Sequence, residues 1–372
     1  MAATWFVLRP YLLPILQAQS TYGKHPLYNN LLGELLLGVW LRWDAVHYIN
    51  LAIGGYFGNI TGDTLFYPLY FLLIRYLAIP LRIDTVLASL IISTISAFIA
   101  FVFLYRIADN FYGEKTARWA VILLCIYPTS FFLFGPYTES LFLALTLAAF
   151  WTAYRASWVW TGLLGALASL ARGPGIYSPA ALLWIAYEQL RPIRVMRLFS
   201  AHRRLMPVLL GLGSPVAAGL SFLLWKNWVG FPSVVEIYRE YPHVTISNPL
   251  NTILKGTLAL FHAPDYIIII EAVSMLVFLS LIILMIIYPR WRRIEWVLYS
   301  GLNMGVFLTR YNVAASPLQS MARYVLVLFP VFIMLGDWLS RKGSRVQFIY
   351  FSISGAILIV FSCLYTIGWF IG

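Results

Sequence analysis

Twelve stretches of mostly apolar residues, at 4–19, 65–80, 84–104, 118–134, 137–154, 158–171, 174–190, 205–226, 266–288, 294–310, 323–339 and 346–370, occupy most of this chain. Many have the length of about 17–25 residues that carries a helix across a bilayer. Such runs read as an all-α polytopic membrane protein, folded as a single domain over 1–372. Charge supports this. Only 11% of residues are charged, against about a quarter in a soluble domain. The formal net charge of +12 would point to nucleic acid in a soluble protein. Here it follows from basic residues collecting in short loops on one side of a membrane, and no nucleic-acid partner is expected. The two cysteines, Cys125 and Cys363, lie in separate apolar runs and read as small core residues, not a disulfide or metal pair.

The basic loops set the topology. Arg191, Arg194, Arg197, Arg203 and Arg204 form one cluster; Arg290, Arg292 and Arg293 another; Arg341, Lys342 and Arg345 a third; Arg106, Lys115 and Arg118 a fourth. Placing all four in the cytoplasm and flipping sides at each span leaves Asp44 and Glu139 outside. The first residues, with Arg9, Pro10 and Pro14, read as a short span and not as a cleaved signal peptide. The 65–80 run carries Arg75 and two prolines, so it is expected to be interfacial or re-entrant. About eleven spanning helices remain. Two longer polar stretches, 20–63 and 227–265, become outer loops of the kind that carry function.

Within the first outer loop stands Trp40-Leu41-Arg42-Trp43-Asp44-Ala45-Val46-His47-Tyr48. On a helix, Asp44, His47 and Tyr48 fall at i, i+3 and i+4 and share one face. An interfacial anchor would need the aromatics but not the acid and imidazole. The same topology puts Glu139, Arg172, Glu236, Arg239, Glu240, His243, Arg310, Arg323 and Tyr324 outside. Each has a plain structural alternative: Glu139 as an acid favoured at a helix start, Arg172 as a cap on helix-end carbonyls, Arg310 and Arg323 as snorkelling anchors. Other chemistry is absent. No Walker or Rossmann loop, zinc spacing, HExxH or GxSxG occurs. One or two carboxylates and several arginines at a membrane surface suit a lipid-phosphate substrate. Arginines hold the phosphate and a carboxylate takes a proton from an acceptor hydroxyl. A transporter or flippase of lipid-linked sugar would use the same arginines without a catalytic acid. A transporter, though, centres its ionisable groups at mid-membrane, often on repeats, and none is visible.

Trp43-Asp44-Ala45-Val46-His47-Tyr48 with Gly54-Gly55-Tyr56 resembles the opening motif of the GPI mannosyltransferase II (PIG-V) family. Phe66-Tyr67-Pro68-Leu69-Tyr70, Tyr127-Pro128-Thr129-Ser130-Phe131-Phe132, Tyr137-Thr138-Glu139-Ser140-Leu141-Phe142, Ser169-Leu170-Ala171-Arg172 and Met321-Ala322-Arg323-Tyr324 resemble its later elements, in order. Each match alone is weak; the ordered set, from about residue 40 to 330, is specific. The short chain resembles a prokaryotic member. The resemblance implies a GT-C-type bundle whose extracytoplasmic loops form the active site, in the plasma membrane of a prokaryote or the endoplasmic reticulum of a eukaryote. It also implies an inverting transfer of mannose from a polyprenyl-phosphate donor, as an α-mannoside, to a glycolipid or glycan. Asp44 becomes the catalytic base. Arg42, His47, Tyr48, Tyr67, Tyr137, Glu139, Arg172, His243, Arg323 and Tyr324 become substrate-binding residues. Besides donor and acceptor, membrane lipids are the only partner implied. No cofactor is expected; a divalent cation bridging Asp44, Glu139 and phosphate is chemically open but is not part of the reading. Another lipid-linked sugar is the rival within the same class.

Overall fold

The computed structural model describes residues 31–57, 61–191, 198–233, 235–237, 244–262, 265–312, 316–318 and 320–371. Helices dominate. In chain order they are α1 (Leu31–Leu36), α2 (Asp44–Gly54), α3 (Pro68–Leu81), α4 (Thr85–Tyr112), α5 (Glu114–Ile126), α6 (Glu139–Tyr154), α7 (Trp158–Ala171), α8 (Ser178–Leu190), α9 (Leu198–Val229), α10 (Pro249–His262), α11 (Tyr266–Ile287), α12 (Ile294–Phe307), α13 (Met321–Tyr324), α14 (Phe329–Ser340) and α15 (Ser344–Thr366). The all-α expectation needs one correction. A short antiparallel ribbon pairs β1 (Val244–Ile246) with β2 (Arg310–Asn312), Ile246 opposite Arg310.

Among the described residues, four helices are long and apolar enough to cross a membrane: α4, the Leu205–Val229 part of α9, α11 and α15. A fifth arises if the 321–340 segment counts as one broken span, bent by 79°. α3, α6 and α7 are apolar but of 14, 16 and 14 residues, shorter than the usual spanning length. The chain is therefore an integral membrane protein of helical-bundle type, with four or five full-length spans among the described residues. The 4–19 run lies outside the described residues. The 65–80 run becomes the 14-residue α3.

Two of the expected spans are broken, and proline explains both. The residue before a proline is pushed out of the helical region; Tyr127, ahead of Pro128, is extended at φ −58°, ψ 140°. The 118–134 run therefore stops at Ile126 and resumes as a 3-10 turn at Ser130–Leu133. Pro330 stands in the first turn of α14, where a missing N–H costs nothing, so a new helix starts there at a new angle. Elsewhere the ends follow capping rules. Asp84 accepts from the amides of Val86 and Leu87 at 2.7 and 3.2 Å and starts α4. Gly113, at φ +84°, turns the chain into α5.

α6 is apolar on every side, the signature of a central helix; it packs between α4 and α7. At about 1.5 Å per residue it separates two polar ends. At one end is Glu139. At the other, Tyr154 donates to Glu295 (3.2 Å) and accepts from Trp296 (2.8 Å). Arg293 pairs with Glu295 there, and buried Asp337 takes Arg290, Arg341 and Trp291. Basic groups assigned to one side from sequence thus converge at the end of α6 away from Glu139. Cys125 and Cys363 form no disulfide.

α5 and α14 touch backbone to backbone at Gly336. A Cβ there would lie 2.7 Å from the Ala120 nitrogen and 2.9 Å from the Thr116 oxygen. Gly336→Leu should lower stability by about 1–3 kcal/mol through overpacking, read as a lower thermal unfolding midpoint in detergent.

Candidate functional site

The turn before α2 is strained. Trp43 has φ +46° and ψ −122°, a conformation that costs a side-chain-bearing residue about 1–3 kcal/mol and persists only when its surroundings impose it. The surroundings are visible. The Trp43 ring lies 5.3 Å from the rings of both Tyr365 and Phe370. Tyr365 donates to the Trp40 carbonyl (3.2 Å), Tyr137 donates to the Arg42 carbonyl (2.9 Å), and the two phenols lie 3.1 Å apart. The end of α15 and the loop before α6 thus hold the turn that starts α2. Asp44 is the first residue of that helix.

Asp44 does not stand alone. Its Oδ2 accepts from Arg323 Nη2 at 2.7 Å. The Arg323 side chain is 4% exposed and that of Asp44 is 37% exposed, so the pair has an inner cation and an outward-facing acid. Arg323 Nε lies 3.2 Å from Glu139 Oε1, and Arg172 Nη1 lies 2.7 Å from the same oxygen. The result is a line of alternating charge: Asp44, Arg323, Glu139, Arg172. Aromatic faces pack around it. Arg323 sits over Tyr137 and Tyr324, each at 5.1 Å, and Arg172 over Tyr324 at 4.8 Å, attractions of about 0.5–2 kcal/mol apiece. Arg310 Nη1 donates to the Tyr324 hydroxyl at 3.1 Å. Burial would raise the Asp44 carboxyl, but Arg323, with help from His47 and Arg310, holds it below the ordinary carboxylate value.

Four residues separated widely in sequence therefore meet as expected: Asp44, Glu139, Arg172 and Arg323, with Tyr137 and Tyr324 beside them. The structure also answers the plain alternatives. Glu139 does begin a helix, but it is buried and paired. Arg323 is no snorkelling anchor, since its head group is inside.

The other sequence candidates have partners outside this line of charge. His47 Nδ1 lies 2.6 Å from Asp63 Oδ1, and the ring stacks on Phe66 at 5.0 Å. Tyr48 is buried, its hydroxyl 3.3 Å from Thr138 Oγ1. Arg42 donates to the Thr366 carbonyl at 3.4 Å and so ties the turn to α15. Tyr67 packs on Phe222 and lies beside Gly173, next to Arg172. His243 lies outside the described residues.

A sequence model described as mannosyltransferase (PIG-V) matches residues 16–228, more than half of the chain. The chain belongs to the PIG-V mannosyltransferase family. It is 26% identical over 220 residues to GPI mannosyltransferase 2 of Schizosaccharomyces pombe, covering 55% of this chain and 44% of that protein. It is 31% identical over 204 residues to GPI alpha-1,6-mannosyltransferase 2 of Homo sapiens, covering 50% and 40%. The chain thus spans less than half the length of these curated relatives. Its fold is shared with a crystal structure of ArnT from Cupriavidus metallidurans bound to undecaprenyl phosphate, at TM-score 0.50 and 15% identity over 85% of this chain and 58% of that one. A GT-C-type membrane bundle is what the sequence led one to expect.

The PIG-V match contains Asp44, Glu139 and Arg172 but stops before Arg323 and Tyr324; the resemblance of the 321–324 segment pointed to those two, and the geometry joins them to the other three. Two more residues were not chosen from sequence. Asp63, 3% exposed, orients His47. Lys226, also buried, donates to the Thr64 carbonyl and so pins the 3-10 turn Thr61–Leu65 that carries Asp63. Arg310, placed on the outer side from sequence, reaches Tyr324 from β2. An intramembrane lysine was the available signal for Lys226; Asp63 had none beyond its charge. Among the described residues no group of three or more His, Cys, Asp or Glu side chains is poised to hold a metal. Between Asp44 and Glu139, where a bridging cation could have sat, stands the Arg323 guanidinium.

A depressed carboxyl contributes stability that is present above the ordinary value near 3.9 and lost as pH falls through the lower folded value. Arg323→Gln removes the main opposition to burial, so Asp44 should protonate at higher pH. The acid loss of thermal stability in detergent should move up by about 1 unit or more. The same comparison in an Asp44→Asn background, where only Glu139 loses its contact with Arg323, should show a smaller shift.

Proposed function

We propose that this protein transfers mannose from a polyprenyl-phosphate donor to a hydroxyl of a glycolipid or glycan, with inversion and with Asp44 as the general base. The observation that carries the reading is the Asp44–Arg323 pair. One carboxylate oxygen is held by a buried guanidinium while more than a third of the side chain stays open to an incoming group. Family membership supports the mannosyl chemistry, and the fold shared with a protein bound to undecaprenyl phosphate supports the donor class.

The acceptor oxygen attacks the anomeric carbon. Its proton passes to Asp44 as the new C–O bond forms. The bond from the anomeric carbon to the phosphate oxygen breaks, and its electron pair leaves with the lipid phosphate. That leaving group needs charge stabilisation more than a proton. Arg323, which the sequence alone offered for this task, is held between two carboxylates; its first role here is to orient and ionise Asp44. Arg172 and exposed Arg310, on either side of Tyr324, are the cations for the phosphate. Glu139 Oε2 is buried without a hydrogen-bond partner among the described residues, and a donor sugar hydroxyl would satisfy it. His47, oriented by Asp63, offers a further sugar contact one turn along α2. The outer face of a plasma or endoplasmic-reticulum membrane is the side on which the loop charges place this site.

Asp44→Asn tests the assignment. Purified protein with polyprenyl-phosphate mannose and a glycan acceptor should lose at least about 100-fold in transfer rate, while the variant still unfolds in one cooperative transition, at a midpoint lowered by the loss of the ion pair with Arg323. Transfer at the parent rate would remove Asp44 from the role of base, and no transfer by the parent protein would favour a flippase.

A further inference from the structure

One fully buried acid is left over by this mechanism. Glu271 lies inside α11, flanked by Tyr266-Ile267-Ile268-Ile269-Ile270 and by Ala272-Val273. Its exposure is 0%. An acid in an apolar spanning helix is costly and is kept where it does something. No ion pair within 4.0 Å involves Glu271 among the described residues. It binds backbone instead. Oε1 accepts from the Ser320 amide at 3.0 Å and Oε2 from the Ala322 amide at 2.8 Å.

These amides belong to the turn that presents Arg323. Ser320 has φ +66°, a left-handed conformation uncommon for a residue with a side chain. The other amides of the turn are satisfied within the chain: Met321 by the Leu318 carbonyl, Arg323 and Tyr324 by the Ser320 carbonyl. Thr129 Oγ1 donates to the Ala322 carbonyl at 2.8 Å from the opposite side. The backbone accounting closes only with Glu271 in place. A carboxylate suits the task because both its oxygens accept; an amide has one acceptor and would set an N–H₂ against the second amide.

We infer that Glu271 is a positioning residue for Arg323: its two oxygens fix the 320–322 backbone so that the guanidinium falls between Asp44 and Glu139. The guanidinium keeps its contacts of 2.7 Å to Asp44 and 3.2 Å to Glu139 only while that turn is held. A shift of about an ångström in a catalytic array costs on the order of 10²-fold in rate. Through Arg323, Glu271 thus governs the orientation and charge state of Asp44 without touching substrate. The activity part of this inference rests on the mannosyl-transfer reading; the clamp itself does not.

The experiment compares the parent protein with Glu271→Gln, Arg323→Lys and the double variant. In hydrogen exchange, the peptide covering 318–324 should exchange at least about 10-fold faster in Glu271→Gln, while peptides from α6 and α15 stay unchanged. Transfer from polyprenyl-phosphate mannose should fall by about 10²-fold in kcat, and the double variant should be little worse than Arg323→Lys alone, since both changes act through one group. Equal exchange in parent and Glu271→Gln would overturn the clamp. Changed exchange with additive losses in the double variant would overturn its action through Arg323. If Glu271→Gln does not fold, Thr129→Val releases the same turn from its other side and is read by the same exchange and double-variant comparison with Arg323→Lys. Absence of transfer by the parent protein would count against the functional reading alone, with the exchange result still deciding the clamp.

Discussion

The buried Arg323 guanidinium is the constraint around which this molecule is arranged. A charge removed from water must be paired and hydrogen-bonded, and removing one partner of such a pair costs about 3–5 kcal/mol. Arg323 meets that requirement with two acids from distant elements. Asp44 opens α2 and Glu139 opens α6. Glu139 then has to accommodate Arg172 at the end of α7. Once Arg323 is placed, the mutual positions of α2, α6, α7 and α13 follow. The aromatic residues around it, Tyr137 and Tyr324, do double service as apolar packing and as π-faces for the cations.

The turn at Trp43 shows how such an array is kept under tension. The chain keeps the strained geometry by packing Trp43 against the end of α15. The turn that carries Asp44 is thus shaped by Tyr365 and Phe370 as much as by its neighbours in sequence.

Much of this was legible in the sequence, for definite reasons. Apolar runs bound helices because burial in lipid demands them, and Trp158–Ala171 and Tyr266–Ile287 fall almost where the runs do. Charge sign in the loops separated Glu139 from Arg290 and Arg341, which the structure keeps at opposite ends of the bundle. Motif order brought Asp44, Glu139, Arg172 and Arg323 together before any coordinates did. What resisted was pairing. The i, i+3, i+4 rule put His47 and Tyr48 on the face of Asp44, yet Tyr48 turns into the core and His47 to Asp63. Helical periodicity says which side chains share a face; it does not say which of them another element will cover. Glu271 was in plain view as a lone acid among isoleucines, but its partners are two backbone amides, which no sequence pattern displays. The break at Leu328 was likewise hidden in a run long enough to read as one span.

Asp44 and Arg323 are 279 residues apart. During synthesis, Asp44 and Glu139 reach the membrane long before their cation exists. The early helices must therefore insert carrying acids that are protonated, hydrated or sheltered by the insertion machinery. Their late neutralisation by the 321–324 turn is the event that completes the site. A chain stalled before that turn would leave Asp44 at the start of α2 without its guanidinium and Glu139 with Arg172 alone, a local defect in a bundle that is already largely helical.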